Sequence, residues 1–270
     1  MRELTQSDLE RIQMLTSDRV GIDTLERYTG SQIDQFQPYI LLTNFPDYVQ
    51  VFSEMFHQPI MRGSAMTACH AKDEQISIVH FGIGSPLAAL IAELLSFVKP
   101  KATLMLGLCG GLRKEYEVGE FFNPIAAIRE EGTSNAYLPP RCPSLSSFVI
   151  QRYVCSELEK ENMKYHTGVI HTTNVRFWEF KKDFVNELSI ERSQAIDMEC
   201  ATLFTVGFVN YVPMGALMLI SDLPLKKGGV KTKSKAKAIF SKYTSQQIHL
   251  GINVLKHMIA DEKKGFGYQF

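Results

Sequence analysis

Two short stretches carry acids where the surrounding residues read as buried. In Ala195-Ile-Asp-Met-Glu-Cys200, the carboxyls of Asp197 and Glu199 stand two residues apart in a run that continues apolar to Val209. In Ser221-Asp-Leu-Pro224, Asp222 closes the apolar run Gly215 to Ile220. A buried, ionised carboxylate without partners is costly, so each acid needs a donor, a proton or a ligand bearing hydroxyls. At a strand end with an apolar strand behind it, desolvation raises a carboxyl's pKa and keeps it protonated near neutral pH, which makes Asp222 a candidate general acid. Acids drawn from a helix and the next strand end, one donating a proton and one accepting from hydroxyls, suit cleavage of a bond to a sugar. The simpler account of any one of them is a structural carboxylate tied to a nearby Arg or backbone N–H.

The elements that must position these acids follow from the hydrophobic pattern. Apolar runs at 39–43, 76–81, 102–106, 168–172 and 215–220 end abruptly in NFPD, GIGS, GLCGGL, TNVR and SDLP. Runs apolar on both faces are the mark of central strands in a covered sheet. Helical patterns lie between them at 86–98, 144–161, 195–210 and 234–260. On the helix over 195–210, Glu199 shares a face with Ala195, Ile196, Leu203 and Val206, and Asp197 lies over Cys200, Ala201 and Phe204. Alternating strands and helices predict an α/β protein with a largely parallel sheet, whose ligand sits beyond the carboxyl ends of the strands.

Composition narrows the partner. A chain of 270 residues with 45% hydrophobic content and no linker-like segment reads as one domain, residues 1–270, with 1–38 a helical extension. Lysine plus arginine and aspartate plus glutamate both number 29, which argues against nucleic acid or an anionic membrane and for a small molecule. The five cysteines form no C-x-x-C pair, which fits the cytosol and speaks against a zinc site, and neither metal nor cofactor is expected. The N-terminus lacks the apolar core of a signal peptide. GIGSPL opens like a dinucleotide loop, but Leu87 stands where the third glycine belongs. His80 and His171 lie in strand-like runs and read as core histidines, and Trp178 beside Phe177 reads as core by default.

GLCGGL (107–112), AIDMEC (195–200) and SDLP (221–224), in that order, resemble the nucleoside phosphorylase/nucleosidase superfamily. Within it, LLTNF (41–45), REEGTSNAYLPP (129–140), HTTNVRFWE (171–179) and GVKT (229–232) are similar to the AMP nucleosidase family. The resemblance implies a three-layer α/β/α domain around a mixed, partly barrel-like sheet, acting on AMP as a homo-oligomer, a hexamer built as a trimer of dimers. It implies that Glu199 accepts from the ribose 2′- and 3′-hydroxyls, that Met198 packs on the sugar, and that Asp222, oriented by Ser221, protonates purine N7. Arg176, Phe177 and Trp178 would line the base, with Asn44, Cys109 and Gly110 also at the substrate. Asp197 has no implied ligand role and reads as structural.

Phosphorylases of this superfamily hold orthophosphate where this chain has Phe45, Val49 and Leu108. An anion site without donors binds no anion well, so water is the expected nucleophile. Asp47 is a candidate to position it, or else a helix-start acid after Pro46. The 5′-phosphate needs cations. Leu223 to Ala260 carries eight lysines and no acid, which mostly reads as a solvated face. Lys231 and Thr232, just before a helix, are better candidates, together with Arg27, Arg62, Arg113 and Arg129. Larger bacterial members carry a further N-terminal domain; only about 38 residues precede the first strand here, so no separate regulatory domain is expected. A purine nucleoside phosphorylase, a thioadenosine-type nucleosidase, and a nucleotide sensor without turnover stay open as alternatives.

Overall fold

The structure is a computed structural model and describes residues 6–229 and 233–264. Ten strands are described: β1 (Tyr39–Thr43), β2 (Ile60–Arg62), β3 (Thr67–Ala71), β4 (Ile76–His80), β5 (Ala102–Gly111), β6 (Phe121–Glu130), β7 (Ser144–Leu145), β8 (Tyr165–Thr173), β9 (Ala195–Asp197) and β10 (Met214–Asp222). The helices are α1 (Gln6–Thr29), α2 (Pro46–Phe56), α3 (Ser85–Val98), α4 (Phe148–Lys160), α5 (Lys182–Ile190), α6 (Cys200–Val209) and α7 (Lys233–Lys263). Among the described residues no helix is long and apolar enough to cross a membrane.

The strands form one mixed sheet with a closed ring at its centre. β5 runs parallel to β1 and β10; β10 pairs antiparallel with β6, β6 parallel with β8, β8 parallel with β9, and β9 antiparallel with β5. The ring β5–β10–β6–β8–β9 is therefore closed, and β1, β4, β3 and β2 continue the sheet outward. Along β1 the side chains alternate between two buried layers: Ile40 and Leu42 pack with α3 and α6, while Tyr39 and Leu41 pack with α2, α4 and α7. Cover on both faces is why these strands read as continuous apolar runs, and it makes the architecture three layers, α/β/α.

Several elements differ from the sequence reading, most of them because strand pairing overrides local pattern. Residues 195–197 form a strand, not the first turn of a helix, because Ala195 and Ile196 close the ring against Gly111 and Gly110. Helix α6 starts only at Cys200. β5 runs on through the glycines to Gly111, fully buried, where the apolar count suggests an end near Leu106. Ser144 and Leu145 pair with β6, so α4 begins at Phe148. β6 itself is hidden in the sequence by Pro124, which sits where its register with β8 shifts, a place where a missing N–H is tolerated.

Candidate active site

A cleft of about 480 Å³ opens at the carboxyl ends of β1, β5, β8 and β10, and the acids of both opening motifs line it. Glu199 is 2% exposed and occupies the turn between β9 and α6. Its Oε1 accepts the backbone N–H of Gly84 at 2.8 Å, a contact between residues 115 positions apart. Gly84 has φ of 96°, a conformation that side chains beyond glycine rarely adopt, so the GIGS turn delivers this N–H because a glycine stands there. Pro86 then opens α3 at a position that needs no N–H. Ser85 donates its hydroxyl to the Met198 carbonyl at 2.8 Å and clamps the same turn to the Glu199 loop.

Asp197 organises the loop from beneath. Its Oδ2 accepts the N–H of Cys200 at 2.7 Å and of Glu199 at 3.2 Å, and its Oδ1 the Thr172 hydroxyl at 2.6 Å. It thus satisfies donors that the start of α6 leaves without helical partners. Burial pushes the carboxyls of both acids up, and the charge of Asp197 adds to the rise at Glu199, which reaches about 8 against the pull of Gly84, Asn44 and Met198. Asp197 has two backbone N–H groups and a hydroxyl donating to it, which favour its charged form, while the rise at Glu199 keeps that carboxyl protonated near neutral pH.

Asp222 owes its direction to an irregularity. Ile220 pairs with Cys109 and Asp222 with the next residue, Gly110, so Ser221 is an extra residue in β10. In a regular strand successive side chains face opposite ways; the bulge turns both Ser221 and Asp222 to the cleft. The Ser221 hydroxyl donates to Asp222 Oδ1 at 2.6 Å and lies 3.3 Å from the Cys109 carbonyl, which fixes the half-buried carboxyl in rotation. Beside it, a Cβ on Gly110 would meet Ile196 at 3.1 Å and Pro224 at 3.3 Å, so the floor is flat only with glycine. The remaining walls are largely apolar, including Phe45, Leu108, Met198 and Trp178. Trp178 is held by a stack on Phe184, centroids 5.7 Å apart.

The cleft gathers Asn44, Cys109, Gly110, Arg176, Trp178, Met198, Glu199, Ser221 and Asp222 from the sequence-derived set. Others lie elsewhere. Phe177 is 67% exposed beneath the Arg176 guanidinium and does not line the cleft. Asp47 is exposed in the first turn of α2, away from the lining, where an acid complements the helix dipole. Val49 is buried under that helix. Arg129 is committed: its guanidinium donates to the Pro139, Cys142, Ser134 and Leu138 carbonyls, and so holds the 132–142 loop in place of any phosphate. Arg113 donates to the Arg192 carbonyl. Arg27 and Arg62 share a separate surface groove with Asp23 and Glu26. Lys231 and Thr232 lie outside the described residues.

Sequence reasoning missed Gly84, the bulge at Ser221, and Glu179. Only the first left a trace, in a GIGS turn directly before a proline. Glu179 lies three residues after Arg176, whose Nη1 it meets at 3.3 Å; Arg176 is the one cationic side chain among the described residues lining the cleft.

Residues 38–255 match the family model described as the phosphorylase superfamily. Among solved structures, the chain is similar to AMP nucleosidase from Bacteroides thetaiotaomicron VPI-5482, with a TM-score of 0.81 and 40% identity over 91% of this chain and 99% of that one. A uridine phosphorylase from Vibrio fischeri ES114 shares the fold, with a TM-score of 0.73 at 21% identity over 83% of this chain and 93% of its own. Among curated proteins, AMP nucleosidase of Escherichia coli (strain K12) is 28% identical over 282 residues, covering 88% of this chain; the chain spans 58% of that relative's length.

Proposed function

The chain belongs to the phosphorylase superfamily, and from that premise we propose that it is an AMP nucleosidase, hydrolysing AMP to adenine and ribose 5-phosphate. The observation that carries this reading is the pairing, across one cleft, of a buried acceptor for hydroxyls, Glu199, with a serine-oriented acid, Asp222, between the apolar walls Phe45 and Leu108. Adenine leaves poorly as an anion. Asp222 gives its proton to N7 while the electrons of the C1′–N9 bond pass into the purine, so the base departs neutral. Glu199 releases its proton to solvent as the nucleotide binds and takes it back when the products leave, so the ribose, left oxocarbenium-like, has its 2′- and 3′-hydroxyls donating to a carboxylate. The oxygen of water adds to C1′ and its proton returns, through solvent, to Asp222. Phe45 and Leu108 offer an orthophosphate no donor, which favours water as the nucleophile. Asn44 supports this: its Oδ1 is buried at the cleft wall with no partner among the described residues and offers an acceptor to the attacking water.

The substrate's phosphate dianion finds a single described cation in the cleft, Arg176, beside four carboxyls: Asp197, Glu199, Asp222 and Glu179. That shortage favours cations brought by another subunit of a homo-oligomer, a hexamer in our reading, with Arg62 as the donor. Five cysteines without a disulfide among the described residues favour the cytosol. The function is tested by product analysis. Incubation with AMP should yield adenine and ribose 5-phosphate at a rate independent of orthophosphate. Ribose 1,5-bisphosphate as the main sugar product would make the enzyme a phosphorylase, and absence of any free adenine would make it a binding protein.

A further inference from the structure

Glu179 is a buried carboxylate in the cleft that the reaction above does not use. Its side chain is 7% exposed, Oε1 meets the Arg176 guanidinium at 3.3 Å, and Oε2 is sealed from solvent with no hydrogen-bond partner among the described residues. A desolvated carboxyl oxygen left unpaired is costly, and a donor arriving with the ligand removes that cost. Resting on the reading of the cleft as an AMP site, we propose that Glu179 is a specificity residue that accepts the 6-amino group of the purine and selects 6-amino over 6-oxo purine nucleotides.

AMP carries few hydrogen-bond donors. They are the two ribose hydroxyls and the 6-amino group; the phosphate dianion has none and would be repelled by a carboxylate. Glu199 is placed for the hydroxyls, which leaves the amino group for the second acceptor. That group projects from the same edge of the purine as N7, the atom assigned to Asp222, and both acids line the one cleft. Trp178, adjacent in the chain, supplies an apolar wall for the ring, and the Arg176 guanidinium donates to Oε1, which leaves Oε2 as the oxygen open to a ligand donor. A 6-oxo purine presents lone pairs at this point, leaves Oε2 unpaired and meets like charge. Sites built around a hydrogen bond reject the analogue lacking it far more strongly than apolar pockets reject a misfit.

The test compares kcat/KM for AMP, IMP and purine riboside 5′-monophosphate, which has only hydrogen at C6, in the wild type, Glu179→Gln and Glu179→Ala. The wild type should prefer AMP to both others by about 10²-fold or more. Glu179→Gln, able to turn an amide N–H toward O6, should raise the IMP:AMP ratio by a similar factor. Glu179→Ala should lower turnover of AMP by a much larger factor than that of the purine riboside nucleotide, so that the two converge. Equal losses on all three substrates, or unchanged ratios, would assign Glu179 a structural role and overturn the proposal. If the variants fail to fold, the wild-type preference decides: parity between AMP and the 6-unsubstituted nucleotide refutes it. Calorimetric binding of the three nucleotides to wild-type protein keeps the inference testable apart from turnover; a 6-amino preference in binding with no adenine released would leave it standing while the hydrolase reading falls.

Discussion

Glu199→Gln should stabilise the substrate-free protein at alkaline pH while abolishing most of its activity. The carboxyl's ordinary value of 4.5 is pushed up to about 8, first by burial and then by the charge of Asp197. Below pH 4.5 the carboxyl is protonated in folded and unfolded chains alike and costs nothing. Between 4.5 and about 8 the unfolded chain ionises while the folded one holds its proton, so folding stability drains away as pH rises; above about 8 the loss is complete. At about 1.4 kcal/mol for each tenfold change in acidity constant, the rise caps this loss near 5 kcal/mol. Gln keeps the shape and accepts from Gly84 but cannot ionise, so the variant escapes the loss. Its own packing and hydrogen-bond changes add an offset that does not vary with pH, which makes the slope the diagnostic. Chemical denaturation from pH 5 to 9 should show wild-type stability falling relative to the variant by several kcal/mol, with most of the change between 5 and 8. A gap that stays constant, or one that narrows toward high pH, would refute the assignment of a raised carboxyl to Glu199.

Because N7 protonation needs a donor that is held in rotation by Ser221, Asp222→Asn should leave the melting profile intact and lower kcat by roughly 10²–10⁴, the range for general acid catalysis; near-native turnover would remove Asp222 from that role. Arg62→Ala should weaken AMP much more than adenosine, by on the order of 2–5 kcal/mol if the guanidinium pairs with the phosphate. Mixing Arg62→Ala with Asp222→Asn subunits should then restore activity, since a hybrid pair holds one site with both native residues. Mixtures that exchange subunits without recovery would exclude Arg62 as a donor across the interface.

Much of the scaffold was legible because burial leaves a period in the residues. The runs at 39–43, 76–81 and 215–220 coincide with β1, β4 and β10 within about two residues, since strands covered on both faces must be apolar on both. AIDMEC and SDLP advertised themselves for the converse reason: an acid in such a run is expensive and needs a purpose. What the pattern cannot carry is a partner. Ala195, Ile196 and Asp197 fit the pattern of a helix as well as that of a strand, and only closure of the ring against Gly110 and Gly111 makes them a strand and moves Glu199 to the start of α6. Arg129 reads in the sequence as a cation available to phosphate, yet four carbonyls of its own loop consume its guanidinium. The extra residue Ser221, which turns Asp222 inward, depends on register with Cys109 and Gly110 more than a hundred positions earlier, and the donor to Glu199 comes from a turn 115 residues away. The sequence by itself therefore determined the layers and which carboxyls are worth burying, because solvent exclusion acts residue by residue. Tertiary structure alone decided where those carboxyls point, which of them holds the proton, and that Glu179 joins them, because direction and protonation are set by neighbours that local periodicity does not encode.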